Sequence, residues 1–214
     1  MNLFPQKPGE HAFFLDGKSG PLETILTLPE NASSDYVAIL GHPHSLQGGT
    51  MQNKVVTTLA RVFKDLGIAS FRFNFRGVGQ TPGHYDHGVG ESEDMLCVVE
   101  QALMHFSSAR VCFAGFSFGS YVAYRAAAQH PHALLLTIAP PVHHYNYEEW
   151  SLSPSTWLIV EGEQDDVSPP QLVFEFAERA TLPVLSFPQA GHFFHGQLIA
   201  LKERLLNTIP QYLK

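Results

Sequence analysis

The chain has 214 residues, 44% of them hydrophobic, and a formal net charge of −7, which suits a globular α/β domain with a substantial core. Its 13 Lys and Arg are scattered, which argues against the clustered positive charge of a nucleic-acid binder. No apolar stretch approaches the ~18–20 residues needed to cross a bilayer.

In chain order, "MNLFPQKPGEH" lacks the basic start and long apolar run of a signal peptide. Residues 11–30 read as two strands around a turn from Asp16 to Pro21. Residues 35–44, "DYVAILGHPH", form a short apolar run that stops at Gly41, as a buried strand does. Residues 53–67 carry Val55, Val56, Leu59, Val62, Phe63 and Leu66 at helical spacing, with Gly67 as the stop. A strand is predicted over 68–77, breaking at Arg76-Gly77. The helix over 91–106 has acidic residues in its first turn, where the helix dipole favours them. Then come strand 109–116, helix 118–130, strand 132–140, strand 155–162, helix 169–180 with proline at its start, strand 182–188 and a last helix over 193–213.

Strand and helix thus alternate from residue 35 onward with short loops, the pattern of a parallel sheet covered by helices on both faces. With no repeat, linker or low-complexity tract, residues 1–214 read as one domain. The longer irregular stretches, 42–53, 77–90 and 140–155, each follow a strand and should lie over the carboxyl edge of the sheet, where such folds bind ligands. Cys97 and Cys112 lie in apolar surroundings outside any CxxC pair. They read as two buried thiols, which favours a reducing compartment and makes the cytoplasm the expected location.

Gly115-Phe116-Ser117-Phe118-Gly119 sits between a strand and a helix. Glycines on both sides of Ser117 allow a turn sharp enough to raise its hydroxyl above the sheet. The helix that follows points its positive end at the same place, which favours an oxyanion. Serine is a weak nucleophile and needs a base, which in turn needs an orienting group. "VEGEQDDVSPP" places Asp165 and Asp166 just after strand 155–162, and "FPQAGHFFHG" places His192 just after the last strand. Ser…Asp…His, each at a strand end, is the order of an α/β-hydrolase.

"GHPHSLQGGTMQNKVV", "FNFRGVGQTPGHYDHGVGE", "AGFSFGSYVA", "EGEQDDVSPP" and "AGHFFHG" together resemble the small bacterial α/β-hydrolases without a lid domain, serine esterase-like and distantly related to dienelactone hydrolases. The resemblance covers the chain from about residue 20. It implies a mostly parallel sheet flanked by helices on both faces and no lid. A dienelactone hydrolase would carry Cys at the nucleophile; Ser117 here moves the reading toward ester hydrolysis. The G-x-x-D spacing of these hydrolases selects Asp165 over Asp166 as the acid. Their G-H-F-F pattern selects His192 over His195 as the base.

Backbone donors for an oxyanion are then expected at Phe118, the residue after the nucleophile, and at His44, where related enzymes carry His-Gly-X. Here the corresponding segment is His42-Pro43-His44, with Ser45 as the fallback donor. Phe116, Phe193 and His42 are expected to line the substrate site, the phenylalanines either as an apolar wall for an acyl group or as core packing. Arg76 is expected to anchor the 77–90 loop through a carboxylate, Glu91 or Asp94. "GVGQTPG" (77–83) lacks the spacing of a nucleotide loop. The 12 histidines show no zinc-site spacing. The expected activity is hydrolysis of a small-molecule ester or thioester through an acyl-enzyme, with no cofactor and no metal. The alternative is a non-catalytic binding or scaffold protein of the same fold.

Overall fold

The computed structural model describes residues 4–213; residues 1–3 of the N-terminal segment read above, and residue 214, lie outside the described residues. Strand β1 (Gly9–Gly17) folds back on β2 (Gly20–Leu28) in an antiparallel hairpin, with Gly17 opposite Gly20. β3 (Tyr36–Gly41), β4 (Ala69–Phe73), β5 (Arg110–Phe116), β6 (His132–Ile138), β7 (Trp157–Gly162) and β8 (Val184–Phe187) follow. They form an eight-stranded sheet in the order β1-β2-β4-β3-β5-β6-β7-β8. β2 meets β4 antiparallel, and every pairing from β4 to β8 is parallel.

The buried strands separate two apolar cores. On β5, Phe113 faces one core while Cys112 and Ala114 face the other. The first core takes Met95 and Val98 of α2 (Val89–His105), Tyr124 of α3 (Phe118–Ala127) and Phe176 of α4 (Pro170–Arg179). The second takes Val55 and Leu59 of α1 (Lys54–Asp65) and Leu201 and Leu205 of α5 (Leu198–Thr208). Helices therefore cover both faces, as expected from the alternating pattern.

This topology locates a ligand crevice. The chain leaves β3 through α1 on one face toward β4, and leaves β5 through α3 on the other face toward β6. The connections diverge between β3 and β5, and in open α/β sheets the crevice lies outside the carboxyl ends of such neighbouring strands. His42-Pro43-His44 leaves one of those ends and Ser117 leaves the other. Between Ile138 and Trp157 the described residues hold only a 3-10 turn, Pro154–Thr156, in keeping with the expected absence of a lid.

Two predicted boundaries move for local reasons. The last helix begins at Leu198, not 193, because Phe194 and Gly196 take φ of 52° and 74°, outside the helical region. The strand predicted over 68–77 ends at Phe73, where Asn74 N–H turns to Glu23 O and Phe75 N–H to His42. Arg76 is anchored as expected, and Asp94 is its partner: Nε donates to Oδ2 at 2.8 Å, while Glu91 instead accepts from the Asp86 and Gly88 N–H groups ahead of α2.

Candidate active site

Ser117 is the hinge between β5 and α3, with φ 54° and ψ −124° and its N–H donating to Ile138 O at 2.8 Å. A non-glycine residue held there costs on the order of 1–3 kcal/mol and persists only where its surroundings enforce it. The enforcement is steric. A Cβ on Gly115 would lie 2.0 Å from Gly119 O, and one on Gly119 would lie 2.4 Å from Gly41 C. The flanking glycines therefore let the first turn of α3 sit directly on the ends of β5 and β3, beyond making the turn sharp. Gly119→Ala is expected to lower stability by about 2–3 kcal/mol; an unchanged thermal midpoint would contradict this packing.

The loops after β7 and β8 bring two more side chains to Ser117. His192 Nε2 lies 3.0 Å from Ser117 Oγ, and His192 Nδ1 lies 2.8 Å from Asp165 Oδ2. The carboxylate can only accept, so Nδ1 carries the proton and donates; Nε2 is left bare to accept from the serine hydroxyl. Asp165 Oδ1 accepts from the N–H groups of Val167 (2.8 Å) and Ser168 (2.7 Å), which fixes the carboxylate's plane. Asp166 and His195, the neighbours that compete with Asp165 and His192 in sequence, are both exposed. Asp165 and His192 are buried, and Ser117 is 8% exposed, which leaves its Oγ side reachable from a narrow opening.

That opening is a cavity of about 110 Å³ bordered by His44, Gln47, Ser117, Val167, His192 and Phe193, among others. Phe118 opens α3, and the N–H groups in the first turn of a helix have no intrahelical partner. His44 caps the 3-10 turn Ser45–Gln47, its Nδ1 accepting from Leu46 N–H at 3.2 Å. The His44 ring packs against Tyr85 and Phe118, with centroids 4.7 Å and 5.2 Å away, and Tyr145 closes the same group against Phe118. Tyr85 and Tyr145 share a hydroxyl–hydroxyl contact at 3.1 Å. Sequence reading missed both tyrosines, although they stand in two of the three irregular stretches expected over this edge, 77–90 and 140–155. Burial, then the nearby His87 and His144 charges, pulls the His44 imidazole below its usual pKa.

Two of the expected substrate contacts are corrected. Phe116 is fully buried and packs against His192 and Phe193, with centroids at 4.9 Å and 5.8 Å, so it supports the His192 ring. His42 is fully buried too. Its Nδ1 donates to Pro43 O at 2.7 Å and its Nε2 accepts from Phe75 N–H at 2.9 Å, tying the end of β3 to the chain leaving β4. Phe193 alone of these three borders the cavity, 44% exposed.

Burial drives the His42 pKa down to about 3, so the imidazole is neutral in the fold and takes up a proton on unfolding below about pH 6.5. Stability should therefore fall as pH drops from that value toward 3, by several kcal/mol in all. His42→Gln is expected to flatten that part of the stability profile, measured by denaturant melts across the acid range; an equally steep profile would contradict the assignment.

Both cysteines are free thiols, and burial pushes Cys112 up to about 12. Among the described residues no group of three or more His, Cys, Asp or Glu gathers to hold a metal ion, and no helix is long and apolar enough to cross a membrane.

Comparison with known proteins agrees with this architecture. A lidless α/β serine hydrolase from Xanthomonas campestris superposes with a TM-score of 0.93 at 38% identity, over 100% of this chain and 98% of that one. An α/β serine hydrolase homologue from Coxiella burnetii gives 0.90 at 41% identity, over 96% and 99%. The chain belongs to this family of lidless α/β serine hydrolases. It is also 34% identical over 159 residues to an uncharacterized protein of Rickettsia prowazekii, a match over 72% of this chain and 66% of that protein's length. No family model matches the chain.

Proposed function

We propose that this chain, read as a single catalytic domain over residues 1–214, hydrolyses small carboxylic esters or thioesters with Ser117, His192 and Asp165 as its catalytic triad. The observation that carries the reading is the unbroken run from Ser117 Oγ through His192 to Asp165, at 3.0 Å and 2.8 Å, beneath an opening at the β3/β5 crevice. Ser117 Oγ attacks the carbonyl carbon while His192 Nε2 takes the hydroxyl proton. Asp165 keeps its charge throughout and holds the imidazolium that forms. The oxyanion is received by the backbone N–H groups of Phe118 and His44. His192 then gives the proton to the departing alcohol or thiol, leaving an acyl group on Ser117. Water repeats the sequence to release the acid. No cofactor or metal takes part.

A cavity of about 110 Å³ holds roughly the volume of three to four waters, which suits a short acyl group against Phe193. Peptide bonds fit less well, since an amine leaves poorly. The free thiols support the cytoplasm as the compartment. The proposal is tested by a series of esters and thioesters from acetyl to palmitoyl, assayed below and above the solubility limit. Short soluble substrates should be cleaved best. A sharp rise in rate on emulsified long-chain substrate would overturn this and point to a lipase.

A further inference from the structure

Glu161 lies near the end of β7, fully buried, in an otherwise apolar strand. The mechanism above does not use it. Its Oε1 accepts the Gly162 N–H at 3.0 Å, whereas its Oε2, equally shut off from water, meets no donor. A carboxylate oxygen left that way is costly, but the same oxygen carrying a proton becomes a donor in search of an acceptor.

The acceptor at hand is Asp165, whose N–H donates to Gly162 O at 3.1 Å and so folds the turn after β7 back at the residue next to Glu161; the Asp165 carboxylate acts on the Glu161 carboxyl as a charge and as a hydrogen-bond partner. Asp165 Oδ1 already takes the Val167 and Ser168 N–H groups, while Oδ2 takes only His192 Nδ1. With two lone pairs on each oxygen, the open one is on Oδ2.

We propose that Glu161 is a positioning residue, protonated at Oε2, which donates to the open lone pair of Asp165 Oδ2 and so completes the set of donors aiming Asp165 at His192. This rests on the reading of Ser117, His192 and Asp165 as the triad. The proton remains on Glu161 through the cycle, and the negative charge remains on Asp165.

The electrostatics agree with the geometry. Burial first, then the Asp165 charge and the hydrogen bond to Asp165, push the Glu161 carboxyl up to about 10. His192 bonds Asp165 directly, and His143 feels the Asp165 charge. Opposite Glu161 on β8 stands Ser186, whose carbonyl accepts from Arg204. The linkage has a definite sign. The fold holds a proton that the unfolded chain releases above about pH 4.5, so Glu161 weakens stability progressively as pH rises from there toward 10. Glu161→Gln, which keeps both a donor and an acceptor, should therefore raise the thermal midpoint, with a gain that grows with pH over that range.

The test uses the full chain and the rate at which a fluorophosphonate inactivates it, followed against pH in the wild type, Glu161→Gln and Glu161→Met. Methionine keeps the length of the side chain and removes the donor. Glu161→Gln should match the wild-type rate to within about twofold and share its acid limb. Glu161→Met should react on the order of tenfold more slowly, the worth of a hydrogen bond to a charged group. Its acid limb should move to higher pH, because Asp165 with one donor fewer holds the imidazolium more strongly. Near pH 10 the wild type should lose rate as Glu161 ionises, while Glu161→Gln keeps its plateau.

An infrared difference spectrum between wild type and Glu161→Gln should show the carbonyl band of a protonated carboxyl at neutral pH, which decides the matter even if the methionine variant does not fold. Three results would each overturn the proposal: no such band, a methionine variant with wild-type rate and acid limb, or a glutamine variant as impaired as the methionine one. A wild-type protein unreactive at Ser117 would overturn the triad reading instead, and the infrared band would still decide where the Glu161 proton lies.

Discussion

Ser117→Ala is expected to remove hydrolysis of a p-nitrophenyl ester by several powers of ten while the protein keeps its fold. The hydroxyl's partner is His192 Nε2, so the substitution deletes the atom proposed to attack and leaves the packing of Gly115, Gly119 and Gly41 untouched. Alanine meets the same positive φ as serine and adds no atom. Turnover measured beside the thermal midpoint separates loss of chemistry from loss of structure. Rate that remains after the nucleophile is gone comes from substrate binding and oxyanion donors alone. A variant with wild-type turnover would show that another group performs the attack.

The second large effect separates two adjacent carboxylates. Asp165→Asn should lower kcat on the order of 10⁴-fold, as loss of the orienting carboxylate does in other serine hydrolases, whereas Asp166→Asn should stay within about twofold. The physical difference lies in what each side chain holds. Asp165 has one oxygen on two backbone N–H groups and the other on His192 Nδ1, so an amide there offers the imidazole a neutral partner and favours the wrong tautomer. Asp166 is exposed on the same turn. Steady-state kinetics of the two variants decide the point, and equal losses would reverse the assignment.

The order and type of the elements were legible because the apolar pattern of each segment suffices to place it in a strand or helix, and short loops between alternating elements leave few topologies. Ser117 and His192 each follow a recognisable strand, which puts them at the carboxyl edge of the sheet, but the choice of His192 over His195 came from the G-H-F-F pattern of the family resemblance. Asp165 and Asp166 both lie on the turn after β7, and only the G-x-x-D spacing carried by the family resemblance chose between them; what sets them apart physically, the amides of Val167 and Ser168 on Asp165 Oδ1, is a matter of turn geometry.

His42 and Phe116 were misplaced for a different reason. What buries them arrives from elsewhere in the chain, Phe75 N–H on the His42 ring and Phe193 over Phe116, and no periodicity records such contacts. The late start of α5 reflects positive φ at Phe194 and Gly196, and the residue type at Phe194 gives no warning of it. Glu161 did leave a trace, a charged residue inside the apolar run "WLIVEG", but its partner becomes visible only when the following turn folds Asp165 back beside it.

The account's central claim is that Ser117 is a nucleophile activated by His192. Treatment of the folded protein with a fluorophosphonate, followed by proteolysis and mass spectrometry, tests it most directly. The expected result is one phosphonyl adduct, on the peptide containing Ser117, absent from Ser117→Ala and strongly slowed in His192→Ala. Folded wild-type protein that stays unmodified, or that is labelled at a different residue, would contradict the claim and favour a non-catalytic binding role for the fold.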